Sequence, residues 1–232
     1  NKSPALFLFP FIAMVLAVRV LAKAETERLT HMNRAFRTMV IWGVIAVGVI
    51  LLLWPALWAN PVGTLKGVLG EAVEYASEPH GHSNFFWFAI RPNPGPAFYP
   101  VAWLFRTTPW VIVGLILLTA SLFRQKERGQ GINFILLYVL LFVLFMTTGA
   151  KKMDRYMLPV IPTINILSAL GWMWGLGQLA AKRATDLQRT VLLSLFVTVT
   201  QFALIWPSQP YYFSYYNPLL GGSRMATKVL LV

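Results

Sequence analysis

A cluster of charged and aromatic residues lies between two long apolar runs, at positions 149–162. Its chemistry-bearing members are Lys151, Lys152, Arg155 and Tyr156, and Asp154 lies among them. A guanidinium offers an oxyanion a planar fork of donors, and an ammonium offers it a compact point charge. These residue types at this spacing therefore predict an anion site, which we call the basic cluster.

The basic cluster opens an apolar segment that carries Pro159 and Pro162 near its start. Proline is tolerated in the first turn of a helix, where its missing N–H costs nothing. The positive end of a helix dipole adds to fixed cations at such a terminus and favours an anion. Two alternatives to an anion site stay open. For the cations, the alternative is that they anchor the chain at lipid headgroups, with Asp154 as a local partner. For Tyr156, it is that the side chain lies at the membrane interface without binding a ligand.

The composition of the chain is that of a membrane protein. Of its 232 residues, 57% are hydrophobic and 12% are charged, whereas soluble domains carry about 25% charged residues. The absence of cysteine excludes thiol catalysis, disulfides and cysteine metal sites. Basic loops facing anionic lipid explain the net charge of +12, so no nucleic-acid partner is expected.

Hydropathy predicts an all-α polytopic membrane protein with about six transmembrane helices. The expected spans cover about 4–21, 38–58, 109–123, 132–148, 158–180 and 190–206. Eleven of the 20 Lys and Arg residues lie in or beside the three short loops between these spans. The positive-inside rule places those loops in the cytoplasm. The basic cluster then faces outward, where topology alone would disfavour positive charge.

The long outer loop, residues 59–108, contains a predicted amphipathic helix over about 61–76. Asn60 supplies a capping side chain, and Pro61 suits the first helical position. Apolar residues recur at steps of three and four positions, at Val62, Leu65, Leu69 and Val73. The pattern predicts a helix that lies flat at the outer interface.

Two histidines follow this helix, His80 and His82, with Glu74 and Glu78 nearby. The four side chains could be ligands for a divalent metal, but His-Gly-His is a weak signal and no metal is expected. Contact with a substrate, or a hydrogen bond within the loop, is the favoured interpretation of the histidines.

Further outward cations could extend the anion site. Arg106 precedes Pro109 at the start of an apolar segment, in the same way that the cations of the basic cluster precede Pro159. Arg106 is therefore a candidate second contact for phosphate or pyrophosphate. Lys2 lies at the outer end of the first span and could join the same pocket. Snorkelling to lipid headgroups is the alternative for such long side chains.

The C-terminal part of the chain is rich in aromatic residues. Such rings can stack on a sugar, but at a membrane interface they usually form an aromatic belt. The belt is favoured for Trp206, Tyr211, Tyr212, Tyr215 and Tyr216.

Several segments, in order, resemble one family of membrane enzymes. The matching pieces are residues 2–10, 54–61, 80–82, 94–100, 151–159 and 210–222. Together they resemble the phospholipid-carrier-dependent glycosyltransferases of the GT-C fold. That family includes dolichyl-phosphate-mannose protein mannosyltransferases and bacterial aminoarabinose transferases. The segment 151–159 is similar to the family's basic-Tyr-Leu-Pro element.

The resemblance implies transfer of a sugar from a polyprenyl-phosphate carrier to an acceptor at the extracytoplasmic face of a prokaryotic plasma membrane. Lys151, Lys152 and Arg155 would grip the phosphate, with Tyr156 donating a hydrogen bond. The lipid-linked sugar would be a substrate, and no resident cofactor is expected. His80, His82, Arg106 and Lys2 would line the substrate pocket.

The resemblance also implies a missing part. Family members have more spans, and their catalytic aspartate lies in an outer loop of the N-terminal half. No counterpart of that loop is found, so we interpret residues 1–232 as a single transmembrane domain that is a C-terminal fragment. It would bind lipid phosphate and contain no catalytic residue, so the fragment alone is expected to be inactive.

Two other functions remain open. The chain could be half of a lipid or anion transporter or flippase, with the cations guiding an anionic headgroup. Transport pathways usually need ionisable residues within the membrane, and the predicted spans are almost free of them. The chain could also be a non-catalytic scaffold subunit of a membrane assembly.

Overall fold

The structure is a computed structural model that describes residues 7–77, 84–124, 130–149, 152–180 and 186–231. The sequence predicts one transmembrane domain, whereas the backbone contacts divide the chain into two compact units. The described part of the first unit is residues 7–77, and that of the second is residues 84–124, 130–149, 152–180 and 186–231.

The described residues of the first unit form helices joined by short connections. Its helices are α1 (Leu8–Leu21), α2 (Glu25–Leu53), α3 (Ala56–Ala59) and α4 (Pro61–Ser77). The rings of Phe9 and Trp42 meet edge to face, with centroids 4.7 Å apart, where α1 packs against α2. The polar stretch 23–37, expected as a loop, belongs mostly to α2. Its charges pair along the helix, and the ion pair between Arg28 and Glu25 measures 3.7 Å.

The helix α4 begins at a capped N-terminus. The side-chain Oδ1 of Asn60 accepts a hydrogen bond from the Gly63 N–H at 2.9 Å, which satisfies one of the free donors of the first turn. The apolar stripe of α4 is exposed in the structure, at Val62, Leu65, Leu69 and Val73. The helix lies where the sequence predicts one, and its placement at the outer interface stays a prediction.

The second unit joins a small sheet to a set of apolar helices. In chain order its elements are β1 (Asn84–Phe86), β2 (Ala89–Arg91), α5 (Phe98–Arg106), α6 (Pro109–Arg124), α7 (Gln130–Thr148), α8 (Ile161–Ala180), α9 (Asp186–Ile205), α10 (Gly222–Val229) and β3 (Leu230–Leu231). A 3₁₀ helix at Asp154–Met157 precedes α8. The strands form an antiparallel sheet in the order β2-β1-β3.

The helices α6 and α8 pack more extensively than any other described pair because small residues let their backbones approach. A Cβ at Gly171 would collide with the carbonyl oxygen of Gly114 and would lie 2.6 Å from the Leu118 nitrogen. Trp172 fastens the same interface, since its indole N–H donates to the Trp110 carbonyl at 2.9 Å. Two polar segments precede these helices: the end of α5 precedes Pro109 of α6, and the 3₁₀ helix at Asp154–Met157 precedes Ile161 of α8.

The helices α5 and α6 meet at a bend of 116°. Proline cannot continue a helix from the preceding turn, and it biases the residue before it toward extended backbone. Pro109 therefore starts α6 afresh. Thr107, two residues before the proline, ends α5 in an extended conformation. The bend places Arg106, the last residue of α5, beside the 3₁₀ helix at Asp154–Met157.

The structure has fewer membrane-spanning candidates than the six predicted. Among the described residues, three helices are long and apolar enough to cross a membrane, in Glu25–Leu53, Gly131–Thr148 and Val191–Ser208, and the bent α5–α6 pair could make a fourth. The helix α1 has 14 residues and is shorter than a typical span. The helix α8 interrupts its apolar run with polar side chains such as Asn165 and Gln178. The prediction of six spans was therefore wrong.

Candidate anion-binding site

Arg106 and Asp154 form an ion pair between the end of α5 and the 3₁₀ helix that precedes α8. The guanidinium Nε and Nη2 atoms both donate to Asp154 Oδ2, at 2.9 and 2.6 Å. Arg106 Nη1 also lies 3.5 Å from the Tyr215 carbonyl oxygen, and the guanidinium carbon lies 4.3 Å from the centre of the Tyr216 ring. Arg106 is therefore held from several sides, and its charge is largely matched by one carboxylate.

Arg155 differs from Arg106 because its side chain is exposed. Its backbone N–H donates to Asp154 Oδ1 at 2.7 Å, which fixes the turn. Within the described part of the chain, the guanidinium of Arg155 has no hydrogen-bond or ion-pair partner. Its five donors are available to a ligand that enters from solvent.

Lys152 is buried, with 1% of its surface exposed. Its ammonium donates to the carbonyl oxygens of Thr147 and Gly149, at 2.7 and 2.6 Å, at the C-terminal end of α7. The nitrogen also lies 5.8 Å from the centre of the Tyr99 ring. Burial lowers the pKa of Lys152, because desolvation penalises the charged form. The ammonium thus caps a helix whose last carbonyls would otherwise lack partners.

Lys152→Met should lower the stability of the fold, because it keeps the length of the side chain and removes both hydrogen bonds to the α7 carbonyls. A hydrogen bond from a charged donor contributes about 1.5–3 kcal/mol, so we expect a loss of at least about 2 kcal/mol. Thermal unfolding in detergent, followed by circular dichroism, measures the loss. An unchanged unfolding midpoint would show that the cap contributes nothing.

The C-terminal tail reaches the site through Asn217, which is fully buried. Its backbone N–H donates to the Phe105 carbonyl at 2.7 Å, and its side-chain amide donates to the Leu104 carbonyl at 3.2 Å. Both acceptors lie at the end of α5, where carbonyls lack partners within the helix. Asn217 therefore fixes the neighbouring Tyr215 and Tyr216 beside Arg106.

A cleft of about 220 Å³ lies beside these groups. Its charged lining residues are Arg106, Asp154 and Arg155, so two guanidiniums and one carboxylate leave one net positive charge. The other lining residues are mainly apolar or aromatic: Ala102, Trp103, Met157, Leu158, Ile161, Tyr212 and Tyr215. The arrangement suits a ligand with an anionic head and an apolar tail.

Tyr215 lines this cleft and is 8% exposed. Its hydroxyl is buried and has no hydrogen-bond partner among the described residues. Burial raises the pKa of the Tyr215 phenol, so it stays protonated and remains a donor at neutral pH. An unpaired buried donor is costly, and a bound oxyanion within reach would satisfy it.

The structure brings together only part of the predicted site. Arg106 and Arg155 line the cleft, whereas Lys152 and Tyr156 are buried and are not among its lining residues. Lys2, His80, His82 and Lys151 lie outside the described residues.

Sequence reasoning missed two contributors, Asn217 and the cleft-lining Trp103. An asparagine followed by a proline, as at Pro218, is a signal for a turn, and a turn is a local feature. The hydrogen bonds from Asn217 to α5 span more than 100 residues. No local pattern predicts such a contact.

Comparisons with protein-family models, curated proteins and solved structures each found no match.

Proposed function

We propose that this chain is the lipid-phosphate-binding part of a multi-pass glycosyltransferase of a prokaryotic plasma membrane. The enzyme would transfer a sugar from a polyprenyl-phosphate carrier to an acceptor at the extracytoplasmic face. One observation carries the proposal: the exposed guanidinium of Arg155, which has no partner among the described residues, lines a mostly apolar cleft beside the Arg106–Asp154 ion pair. A GT-C architecture is inferred from the sequence resemblance alone.

The charges of the cleft fit the head of such a carrier. In glycosyl transfer the carrier phosphate is the leaving group, and its negative charge grows as the glycosidic bond breaks. A guanidinium that donates two parallel hydrogen bonds stabilises that charge. Arg155 takes this role in the proposal, and Arg106, whose charge Asp154 matches, holds in place the turn that carries Arg155. Lys152 stabilises the end of α7, and no residue of this chain is assigned as catalytic.

The apolar wall of the cleft fits the tail of the carrier. Trp103, Leu158 and Ile161 line the cleft beside the charged residues. Burial of isoprenoid surface contributes roughly 25 cal/mol per Å² of apolar area. A lipid phosphate would thus gain affinity from both ends of the cleft, whereas free phosphate would gain it from one.

Equilibrium binding to the purified chain in nanodiscs tests the proposal. The ligands are a polyprenyl phosphate, the matching polyprenol and inorganic phosphate. We expect the polyprenyl phosphate to bind at least about tenfold more tightly than either fragment, because a charged hydrogen bond contributes about 1.5–3 kcal/mol. Equal affinity for the polyprenol would overturn the assignment of a phosphate site.

Asp154→Asn should change stability and ligand affinity in opposite directions. Removal of the carboxylate leaves the half-buried Arg106 without its ion-pair partner, so we expect a loss of about 1–3 kcal/mol in the free energy of unfolding. The net charge of the cleft rises from one to two, so affinity for polyprenyl phosphate should increase several-fold. Parallel melting and binding measurements check both signs, and a fall in affinity would contradict the proposed electrostatics.

A further inference from the structure

The hairpin formed by β1 and β2 turns at two aromatic residues, Trp87 and Phe88. Phe86 pairs with Ala89, so these two residues form the whole loop. Their φ angles are 54° and 62°, both in the left-handed region. Two-residue hairpins of this kind favour Asn-Gly, because a Cβ makes positive φ sterically unfavourable. A tryptophan followed by a phenylalanine at these positions is therefore a departure from what the turn alone prefers.

The turn is held firmly by the chain around it. The Trp87 N–H donates to the Val229 carbonyl at 2.9 Å, and the Phe88 N–H donates to the Lys228 carbonyl at 3.1 Å. At the other end of β1, the Asn84 amide donates to the Lys152 carbonyl at 3.2 Å. The hairpin is thus fastened to both α10 and the basic cluster.

The aromatic side chains of the turn gain little inside the protein. The Trp87 ring contacts Phe86 with centroids 6.1 Å apart. Even so, Trp87 is 55% exposed and Phe88 is 58% exposed, and Ile90 on β2 is 73% exposed. Residues 87, 88 and 90, which we call the hairpin tip, are apolar and exposed, and Trp87 and Phe88 have a backbone conformation that aromatic residues disfavour.

Basic residues lie on the strand and the helix next to the hairpin tip. Arg91 lies at the end of β2, and Arg224 and Lys228 lie on α10; all three are exposed. No acidic residue occurs in β1, β2, α10 or β3. The surface therefore combines an apolar centre with a positively charged rim.

We propose that the hairpin tip inserts into a phospholipid interface that carries anionic headgroups. Aromatic rings, tryptophan above all, favour the boundary between headgroups and acyl chains. Cations near an anionic membrane surface add attraction that weakens over a Debye length. Transfer of the tip from water into the interface would offset the unfavourable backbone of the turn. The same contact would hold the basic cluster, joined to β1 through Asn84, close to the lipid surface.

A single-cysteine experiment tests the insertion, because the natural chain has no cysteine. Phe88→Cys is labelled with an environment-sensitive fluorophore and placed in nanodiscs of phosphatidylcholine with or without phosphatidylglycerol. Ala97→Cys, at another exposed position of the second unit, is the control. In anionic nanodiscs we expect lipid-borne quenchers near the headgroups to quench the probe at position 88, and aqueous iodide to quench it several-fold less than the probe at position 97.

Four results would overturn the proposal. Equal iodide quenching at positions 88 and 97 would exclude insertion, and equal lipid quenching in the two nanodiscs would exclude a preference for anionic lipid. Protection from both quenchers, with energy transfer between labelled copies, would assign the tip to a protein contact. A second label at Ile90→Cys guards against misfolding. In this labelled chain, the further substitutions W87N and F88G give the turn residues that it prefers and remove both rings. If the tip inserts, iodide access at position 90 should be higher with these two substitutions than without them. Unchanged access there would also overturn the insertion.

Discussion

Arg155→Glu is expected to weaken binding of polyprenyl phosphate by about 100-fold or more. The change removes the exposed guanidinium of Arg155 and puts a carboxylate near the expected position of the phosphate. Loss of one charge-assisted contact costs about 1.5–3 kcal/mol, and repulsion between like charges adds to that loss. Because Arg155 is exposed and its side chain has no described partner, the fold should retain its unfolding midpoint.

Arg124→Glu is the matched control for this measurement. Arg124 is also exposed. It is the last residue of α6, at the opposite end of that helix from Pro109 and the neighbouring Arg106. Its guanidinium carbon lies 5.9 Å from the centre of the Trp174 ring and does not line the cleft. The control should bind polyprenyl phosphate within about twofold of the natural chain. Equal losses in both variants would mean that net charge, and not the cleft, sets the affinity.

Gly171→Leu is expected to have the largest effect on stability, because it forces α6 and α8 apart. Even the first added carbon would collide with the Gly114 carbonyl, which is backbone and cannot rotate away. Overpacking costs about 1–3 kcal/mol and occasionally more. The clash with backbone places this variant at about 3 kcal/mol, which corresponds to a fall of about 10 °C in the unfolding midpoint for a chain of this size. Thermal unfolding in detergent measures that midpoint.

Gly177→Leu supplies the control on the same helix. A Cβ at Gly177 would meet no atom within 4 Å, so the larger side chain extends into open space. We expect its unfolding midpoint to stay within about 2 °C of the natural chain. The cleft is lined mainly by the segments that directly precede α6 and α8, so a shift of these two helices would also move the cleft residues. Gly171→Leu should therefore also weaken ligand binding, whereas Gly177→Leu should not. Similar midpoints for the two variants would contradict a close α6–α8 contact.

Local sequence patterns predicted the helical character of the chain better than its number of spans. Apolar runs indicate helices directly, because each helix satisfies its own backbone in lipid. The same runs did not indicate that α2 extends back to Glu25, since its first turns are polar and hold together through pairs such as Arg28 with Glu25. The extended α6–α8 contact depends on where Gly114 and Gly171 meet, which hydropathy does not report.

In the basic cluster too, the sequence pattern did not indicate which residues contact each other. Its composition predicted an anion site, and Asp154 was expected to pair with its cations. The principal partner of Asp154 is Arg106, 48 residues earlier in the chain. Lys152 looked like a phosphate ligand because it is a cation beside other cations. Its role as a helix cap depends on its ammonium reaching the carbonyls of Thr147 and Gly149, which its residue type alone does not predict.

Photocrosslinking of a polyprenyl phosphate tests the central claim most directly. The carrier bears a diazirine on the isoprenoid unit next to the phosphate, and mass spectrometry maps its adducts on the chain in nanodiscs. We predict adducts on the cleft wall, at Trp103, Leu158 or Ile161, that disappear with excess unlabelled carrier and in the Arg155→Glu variant. Competable adducts confined to other surfaces, or equal labelling by the matching polyprenol, would contradict a lipid-phosphate site in this cleft.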